Sequence, residues 1–180
     1  MTLSNINLIF VFFIIIYIIF YCFTTLGNYC FNKDLIEGKS GENVVINHII
    51  RLLDYKAKLI KINNNNKFDF IIEHESGLSR SYEVKTDTYI SESKDSGNMF
   101  VEFECRNKPS GISTSLADWF VYYIPYLSEI YYIKTDDLKE LISNNNFKVT
   151  NNSGDLNSNT KGYLINRYNY RFYFKIYQLV

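Results

Sequence analysis

The sequence contains little cysteine, proline or glycine, with 3, 2 and 8 residues respectively in a chain of 180. No two of the cysteines, Cys22, Cys30 and Cys105, have the spacing of a zinc site. So few cysteines argue against a disulfide framework and favour a reducing compartment. Tyr, Phe, Ile, Asn and Lys are used heavily instead, a bias that indicates an A+T-rich genome rather than a function.

An excess of charge of either sign is also absent. The 19 Lys and Arg residues balance the 19 Asp and Glu residues, so the formal net charge is zero. This balance argues against a strongly basic nucleic-acid coat protein. It leaves room for a nuclease, which needs only a local positive groove and a bound cation. The 47% hydrophobic content is sufficient for a core, and the length predicts one domain plus an appendage.

The amino-terminal segment has no charge from residue 8 to residue 26, and residues 8–23 are an unbroken apolar and aromatic run. About 20 such residues span a hydrocarbon core, so we expect a transmembrane helix that makes the membrane a partner through residues 8–26. Lys33 and Lys39 follow the run and no Lys or Arg precedes it, which places the following domain on the cytosolic side. A signal peptide is the alternative, although a positive n-region and a small-residue cleavage site are not evident.

The chain therefore divides into an anchor and linker at residues 1–31 and a domain at residues 32–180. Within the domain, local patterns predict a linker through residue 39, a helix at 40–53, strands at 57–62, 68–72, 82–86, 99–105 and 130–134, helices opening at 113–118 and spanning 135–142, and an Asn/Ser-rich loop at 144–160. The tail from residue 161 alternates apolar and basic residues, which predicts a strand with Arg167, Arg171 and Lys175 on one face.

The most informative residues are Asp69 and the run Glu83-Val84-Lys85. Glu83 and Lys85 are two residues apart in a strand-like segment, so both face the same way, whereas Val84 faces a core. Asp69 interrupts an apolar run on a preceding strand, and the spacing to Glu83 suits a hairpin. Two carboxylates can bind Mg²⁺ or Mn²⁺, and a neighbouring lysine can stabilise charge on a phosphate. The alternative is an ion pair on the solvent face of a strand.

Other acidic residues can extend this site. Glu42 lies on the inward stripe of the helix at 40–53, near its expected start, so it either offsets the helix dipole or reaches the metal. Glu102 and Glu104 share one face of the strand at 99–105, where they are either solvated or enlarge the metal site.

The order of a helix with Glu42, a strand, a strand with Asp69, a strand with Glu83 and Lys85, and then a strand and a helix resembles the PD-(D/E)XK nuclease superfamily. Within it, residues 32–180 resemble small nucleases of phages and large DNA viruses, including resolvase-like ones. The resemblance implies a restriction-endonuclease-like α/β core, in which a mixed central sheet is flanked by helices. Phe68 stands where that superfamily has a proline.

The resemblance also implies a role for each matched residue. Asp69 and Glu83 match the metal ligands, Lys85 matches the catalytic lysine, and Glu42 matches a helix acid that some members carry. The Val84 carbonyl is a further candidate ligand for the Mg²⁺ or Mn²⁺ cofactor.

Four residues after the fourth expected strand are candidates for nucleic-acid binding. Arg106 and Lys108 border the loop, and Ser113 and Thr114 open the expected helix, whose amino terminus would bind phosphate. Plain helix capping is the alternative for the two hydroxyls.

Together these features predict a membrane-anchored, metal-dependent nuclease acting on DNA. The rival prediction is a membrane-tethered protein that binds nucleic acid or a protein partner on a degenerate nuclease fold, without cutting. Oligomeric state is open, because no symmetric interface pattern is visible.

Overall fold

The computed structural model describes residues 35–62, 67–153 and 159–179. The chain divides into two compact units, residues 1–36 and 37–180, and the architecture below belongs to the second. Within the described part of the chain, no helix has both the length and the apolar character needed to cross a membrane. The anchor predicted at residues 8–26 lies outside the described residues.

The described residues form two α-helices and ten strands. Helix α1 covers residues 35–52. The remaining elements are β1 (Ala57–Ile62), β2 (Phe70–His74), β3 (Ser79–Thr86), β4 (Asn98–Cys105), β5 (Lys108–Pro109), β6 (Trp119–Ile124), β7 (Glu129–Lys134), α2 (Thr135–Ser143), β8 (Lys148–Ser153), β9 (Thr160–Asn166) and β10 (Lys175–Gln178). Short 3₁₀ turns lie at Gly111–Ser113, Pro125–Leu127 and Arg171–Tyr173.

Six of these strands form a mixed sheet in the order β1-β2-β3-β6-β7-β10. The central pair, β3 and β6, is parallel, and the other neighbours are antiparallel. A second, antiparallel sheet has the order β5-β4-β9-β8. The α/β class and the mixed sheet expected from the sequence are therefore observed, with a small second sheet in addition.

Apolar side chains pack on both faces of the six-stranded sheet. On one face α1 covers a helix-side core formed by Val45, Ile46, Ile49, Phe70, Ile72, Tyr82, Val121, Ile130 and Tyr132. On the other face the second sheet and α2 cover an inter-sheet core formed by Ile90, Met99, Val101, Ile112, Phe120, Tyr122, Ile124, Tyr131, Ile133, Leu138, Leu141, Ile165 and Phe174. The alternation of β3 and β6 residues between these cores fixes which face each polar side chain of β3 occupies.

Helix α1 differs from the prediction because residues 35–39, expected to be linker, are already helical. Glu42 is therefore about two turns inside the helix rather than in its first turn. The helix-dipole explanation for Glu42 is wrong, since that effect falls off within the first turn.

The helix predicted to open at residues 113–118 is also wrong. A single 3₁₀ turn at Gly111–Ser113 is followed by an irregular segment and then by β6. Phe120, Val121 and Tyr122 are all buried in β6, so both faces of this strand are covered. A strand buried on both faces has a continuous apolar run, which periodicity alone does not distinguish from a buried helix.

Two predictions in the carboxyl-terminal part need correction. The loop expected at 144–160 contains β8, which pairs with β9. The single strand expected from residue 161 is two strands in different sheets, β9 and β10. Arg167 lies between them and is buried against Asp95, so it is not part of a solvated basic face.

Candidate active site

The candidate site lies where β3 extends beyond the end of β2. The β2–β3 ladder ends with Phe70 opposite Tyr82, so the second half of β3 has no continuing β2 partner. Asp69 occupies the position just before β2, and its amide donates to the Tyr82 carbonyl at 2.8 Å. Its Oδ2 accepts a hydrogen bond from the Val84 amide at 2.6 Å. The Asp69 side chain thus replaces the missing strand partner, which fixes one carboxylate against β3.

The backbone of Val84 adds an acceptor on the same side. In an extended strand the N–H and C=O of one residue leave on the same side of the chain. The Val84 amide points toward Asp69, so the Val84 carbonyl is also directed to this side. The Val84 side chain packs against the helix-side core, as the sequence predicts.

Glu83 and Lys85 leave β3 on the face opposite to Val84. Their partners on β6 are Phe120 and Tyr122, which belong to the inter-sheet core. Both polar side chains are only half-buried, because they lie at the margin of this core. The structure therefore brings Asp69, just before β2, close to Glu83 and Lys85 on the neighbouring strand β3.

The carboxylates influence one another strongly. Burial raises the pKa of Glu83 from 4.5 to about 8, with further increases from the charges of Asp69, Glu42 and Glu102, while Lys85 lowers it. Burial also raises the pKa of Glu42, with a contribution from Asp69. For Asp69, burial raises the pKa and the hydrogen bond from Val84 opposes that increase. We call Glu42, Asp69, Glu83 and Glu102 the acidic cluster.

Glu102 takes part in this cluster from the second sheet. It lies on β4, and its Oε1 accepts a hydrogen bond from Ser110 Oγ at 2.5 Å. Its charge raises the pKa of Glu83. Glu104 instead forms an ion pair with Lys161 at 2.6 Å. Glu102 and Glu104 thus have different surroundings, although the alternation of side chains along β4 predicts the same face for both.

A hydrogen-bond network supports the end of β3. The Tyr122 hydroxyl donates to Asp87 Oδ2 at 2.5 Å and accepts from the Phe100 amide at 3.0 Å. The Asp87 amide in turn donates to the Tyr123 carbonyl at 2.8 Å. These bonds fix the chain two residues after Lys85. Sequence reasoning missed this role, because a tyrosine within an apolar run resembles an ordinary core residue.

The oxygen atoms of Asp69, Val84 and Glu83 are candidate ligands for a metal ion. No group of three or more His, Cys, Asp or Glu side chains in the described ranges is arranged as a metal site. Asp69 and Glu83 with the Val84 carbonyl form a smaller set of two carboxylates and one backbone oxygen. Mg²⁺ is commonly bound by one or two carboxylates with water completing the shell, so this set has suitable chemistry.

The four nucleic-acid candidates are not gathered at one helix terminus. Arg106 and Lys108 are exposed at the tight turn between β4 and β5. Ser113 ends a 3₁₀ turn, and Thr114 Oγ1 donates to the Gly111 carbonyl at 3.3 Å. No α-helix begins at Ser113 or Thr114, so these residues do not form the phosphate-binding helix terminus expected from the sequence. Their contact with nucleic acid stays a prediction.

Comparison with known proteins identifies little. No family model matches the chain, and no curated protein matches it. The chain is similar to the solved structure of a bacterial homing endonuclease, with a TM-score of 0.40 and 17% sequence identity over 56% of this chain and 68% of that chain.

Proposed function

We propose that this chain is a metal-dependent nuclease of the PD-(D/E)XK type that hydrolyses phosphodiester bonds in DNA. The observation that carries the proposal is the acidic cluster beside Lys85. Desolvated carboxylates that raise one another's pKa are unfavourable as anions unless a cation compensates them. A divalent cation held by Asp69, Glu83 and the Val84 carbonyl would supply that compensation.

The residues divide the chemistry among them. A bound divalent cation lowers the pKa of a coordinated water and polarises the phosphate. Asp69 is oriented by the Val84 amide, so its other carboxylate oxygen would be available to hold a cation. Glu83 supplies the second carboxylate from the adjacent strand.

Lys85 and Glu42 act on the reacting groups. The Lys85 ammonium orients the attacking water and stabilises the negative charge that develops on the phosphate oxygens. Glu42 approaches from α1 and assists by accepting the proton of the water, for which its raised pKa suits it. Attack on phosphorus forms one P–O bond and breaks the ester P–O bond; the departing oxygen takes a proton from solvent, which leaves a phosphate monoester and a hydroxyl.

The test is a cleavage assay with the full chain. Linear duplex, single-stranded and four-way-junction DNA are each incubated with Mg²⁺, Mn²⁺ or EDTA. We expect cutting that needs the cation and that falls at least about 10³-fold in Lys85→Ala and Asp69→Asn, about 4 kcal/mol of transition-state stabilisation. The control is Lys58→Ala, which removes an exposed lysine paired with Glu73. Equal cutting by parent and Lys85→Ala would show that this assignment is wrong.

The rival function is a binding module that does not cut. Calorimetry with Mg²⁺ and Mn²⁺ separates the two, because the nuclease requires the cluster to bind the cation. A folded chain that binds DNA, binds no cation and cuts no substrate would favour the rival.

We also propose, from the sequence alone, that residues 8–26 anchor this domain to a membrane with the domain in the cytosol. Recovery of the chain in the carbonate-washed membrane fraction, with the domain digested only by protease on the cytosolic side, is the expected result.

A further inference from the structure

A polar cleft of about 520 Å³ lies at the start of β3 and β6. Arg80 of β3, Lys134 of β7 and Lys139 of α2 line it together with Trp119. These cations come from three elements, so the fold rather than a local run of basic residues brings them together. Lys175 of β10 lies beside them, with its Nζ 5.5 Å from the centroid of the Trp119 ring.

The two carboxylates that line the cleft leave its positive charge dominant. Asp118 Oδ2 accepts hydrogen bonds from the amide and the hydroxyl of Ser81, at 2.8 and 2.9 Å. Asp136 is the other lining carboxylate. Arg80, Lys134 and Lys139 outnumber these two carboxylates, and Lys175 adds a positive charge beside Trp119, so the cleft suits a ligand with several negative charges.

The hydroxyl of Thr135 is a further group in the cleft that can bind an anionic ligand. Thr135, which is 2% exposed, lines the cleft, and its Oγ1 has no hydrogen-bond partner among the described residues. Helix α2 begins at Thr135, and no side chain of the preceding residue caps its amides. Asp136 and Asp137 share this first turn, so the hydroxyl and the surrounding cations, rather than the helix dipole, would bind an anion here.

We propose that this cleft binds the phosphodiester backbone of the nucleic acid, at a position separate from the scissile phosphate. The proposal rests on the proposed nuclease function for the identity of its ligand. Cations spaced over several elements follow a backbone of repeated charges, and an aromatic ring among them offers a surface for a base or sugar.

Strand β3 connects the cleft to the candidate active site. Arg80 and Glu83 are three residues apart, about 10 Å along an extended strand. Because that separation is odd, the two side chains leave β3 on opposite faces, so one phosphate cannot contact both. A backbone bound in the cleft is therefore held at a position distinct from the scissile phosphate.

The first experiment uses Trp119, the single tryptophan of the chain. The full chain is titrated in EDTA, which prevents cutting, with single-stranded and duplex oligonucleotides, with a mononucleotide and with inorganic phosphate. We expect saturable quenching of tryptophan fluorescence by an oligonucleotide, and at least tenfold weaker binding of the mononucleotide and of phosphate. Quenching by the mononucleotide as tight as by the oligonucleotide would overturn the proposal of a backbone site.

The second experiment measures charge contacts. The double variant Arg80→Ala/Lys134→Ala is compared with Lys56→Ala/Lys58→Ala, which removes the same charge from exposed ion pairs with Glu75 and Glu73. We expect the slope of log affinity against log salt to fall by about 2 in the cleft variant and to change little in the control. Thermal unfolding checks that both variants fold.

The outcomes separate this proposal from the nuclease assignment. Cutting that needs Lys85, together with an unchanged salt slope in the cleft variant, would support the nuclease assignment and contradict nucleic-acid binding in the cleft. A reduced slope without any cutting would support the cleft as a nucleic-acid-binding site and contradict the nuclease assignment. Absence of nucleic-acid binding by a folded chain would overturn both.

Discussion

At the scale of a single residue, the stability of the site depends on whether the Glu83 carboxyl is protonated or ionised. Protonated, it tolerates the half-buried position beside Asp69, Glu42 and Glu102; ionised, it repels three neighbouring carboxylates. Proton binding and cation binding therefore compete for the same oxygens.

This competition predicts an unusual dependence of stability on pH. The pKa of Glu83 in the folded chain, about 8, exceeds its ordinary value of 4.5. The stability from the bound proton is thus complete below about pH 4.5 and is lost as the pH rises through about 8. Glu83→Gln removes this loss, so in EDTA we expect its Tm to exceed that of the parent by about 3 °C or more at pH 8.5 and to match it near pH 5.

Circular dichroism melts between pH 5 and 9 provide the measurement. Glu140→Gln, at an exposed position on α2, is the control for the loss of one carboxylate outside the cluster. If Glu83→Gln loses stability above pH 7 as steeply as the parent, the loss does not come from ionisation of Glu83 in the acidic cluster.

Sequence reasoning went furthest at the residue scale. Asp69, Glu83 and Lys85 could be selected because an acid within an apolar run and a Glu-x-Lys on a strand are local patterns. The structure gives Glu83 a third carboxylate neighbour, Glu102, from the other sheet. That contact depends on how two sheets pack, which no local pattern encodes.

At the scale of an element, α1 approaches β3 closely through a glycine. A Cβ added at Gly41 would lie 1.9 Å from Thr86 Oγ1. The sequence predicts a linker through residue 39 and a helix from residue 40, whereas the helix observed from residue 35 contains both Gly38 and Gly41, although glycine weakens an isolated helix. Tertiary packing overrides that preference, because only glycine allows the helix to lie this close to the residue after Lys85.

Gly41→Ala should therefore destabilise the chain by about 1–3 kcal/mol, despite the better helix propensity of alanine. Chemical denaturation measures the change. Gly38→Ala in the same helix is the matched control: nothing lies within 4 Å of its added Cβ, so we expect it to stabilise by about 0.5–1 kcal/mol. Adding Thr86→Ala should recover part of the loss at Gly41, and no recovery would place the strain elsewhere.

The error at β6 has a different cause. Ser113 and Thr114 resemble helix N-caps, and the apolar residues after them fit a buried helix as well as a buried strand. The parallel partner β3, which decides between these alternatives, lies far away in the sequence. The strand could be recognised only once that pairing was known.

At the scale of the whole domain, an ion pair between the buried Arg167 and the exposed Asp95 connects distant segments. Arg167, 2% exposed, donates through Nη1 to Asp95 Oδ1 at 2.7 Å and also pairs with Asp95 Oδ2. Its amide donates to the Gly97 carbonyl at 2.8 Å. The carboxyl-terminal segment thereby holds the loop that follows Lys85 and leads into β4. Alternation alone made Arg167 look like part of a basic strand face, since the partner is remote.

Breaking this pair should be costly. Asp95→Asn leaves the Arg167 guanidinium buried with a weaker partner, while solvent screens the exposed side of the pair, so we expect a loss of about 1–2 kcal/mol in the free energy of unfolding. The double variant Asp95→Asn/Arg167→Met should lose less than the sum of the two single variants, as measured by denaturation. Strict additivity would show that the two side chains do not interact.

Cation binding should also be visible in global stability. Saturating Mg²⁺ at about 100 times Kd would raise the free energy of unfolding by about 2.7 kcal/mol. Because binding displaces the Glu83 proton, the increase in Tm should be larger at pH 8.5 than at pH 5.5. Scanning calorimetry with Mg²⁺ and EDTA tests this, and an equal effect on Glu83→Gln would place the cation elsewhere.

The parallel pairing of β3 with β6 also constrains how fast the domain can fold. Ser81 and Asp118, which bond at the start of this pair, are 37 residues apart, and the Asn98–Asn166 contact of the second sheet spans 68. Such non-local contacts must close long loops before they stabilise the chain, which slows folding. During that interval β3, with Glu83 and Lys85, presents an unpaired edge to other chains. The geometry that creates the site therefore also makes the newly synthesised chain vulnerable to aggregation.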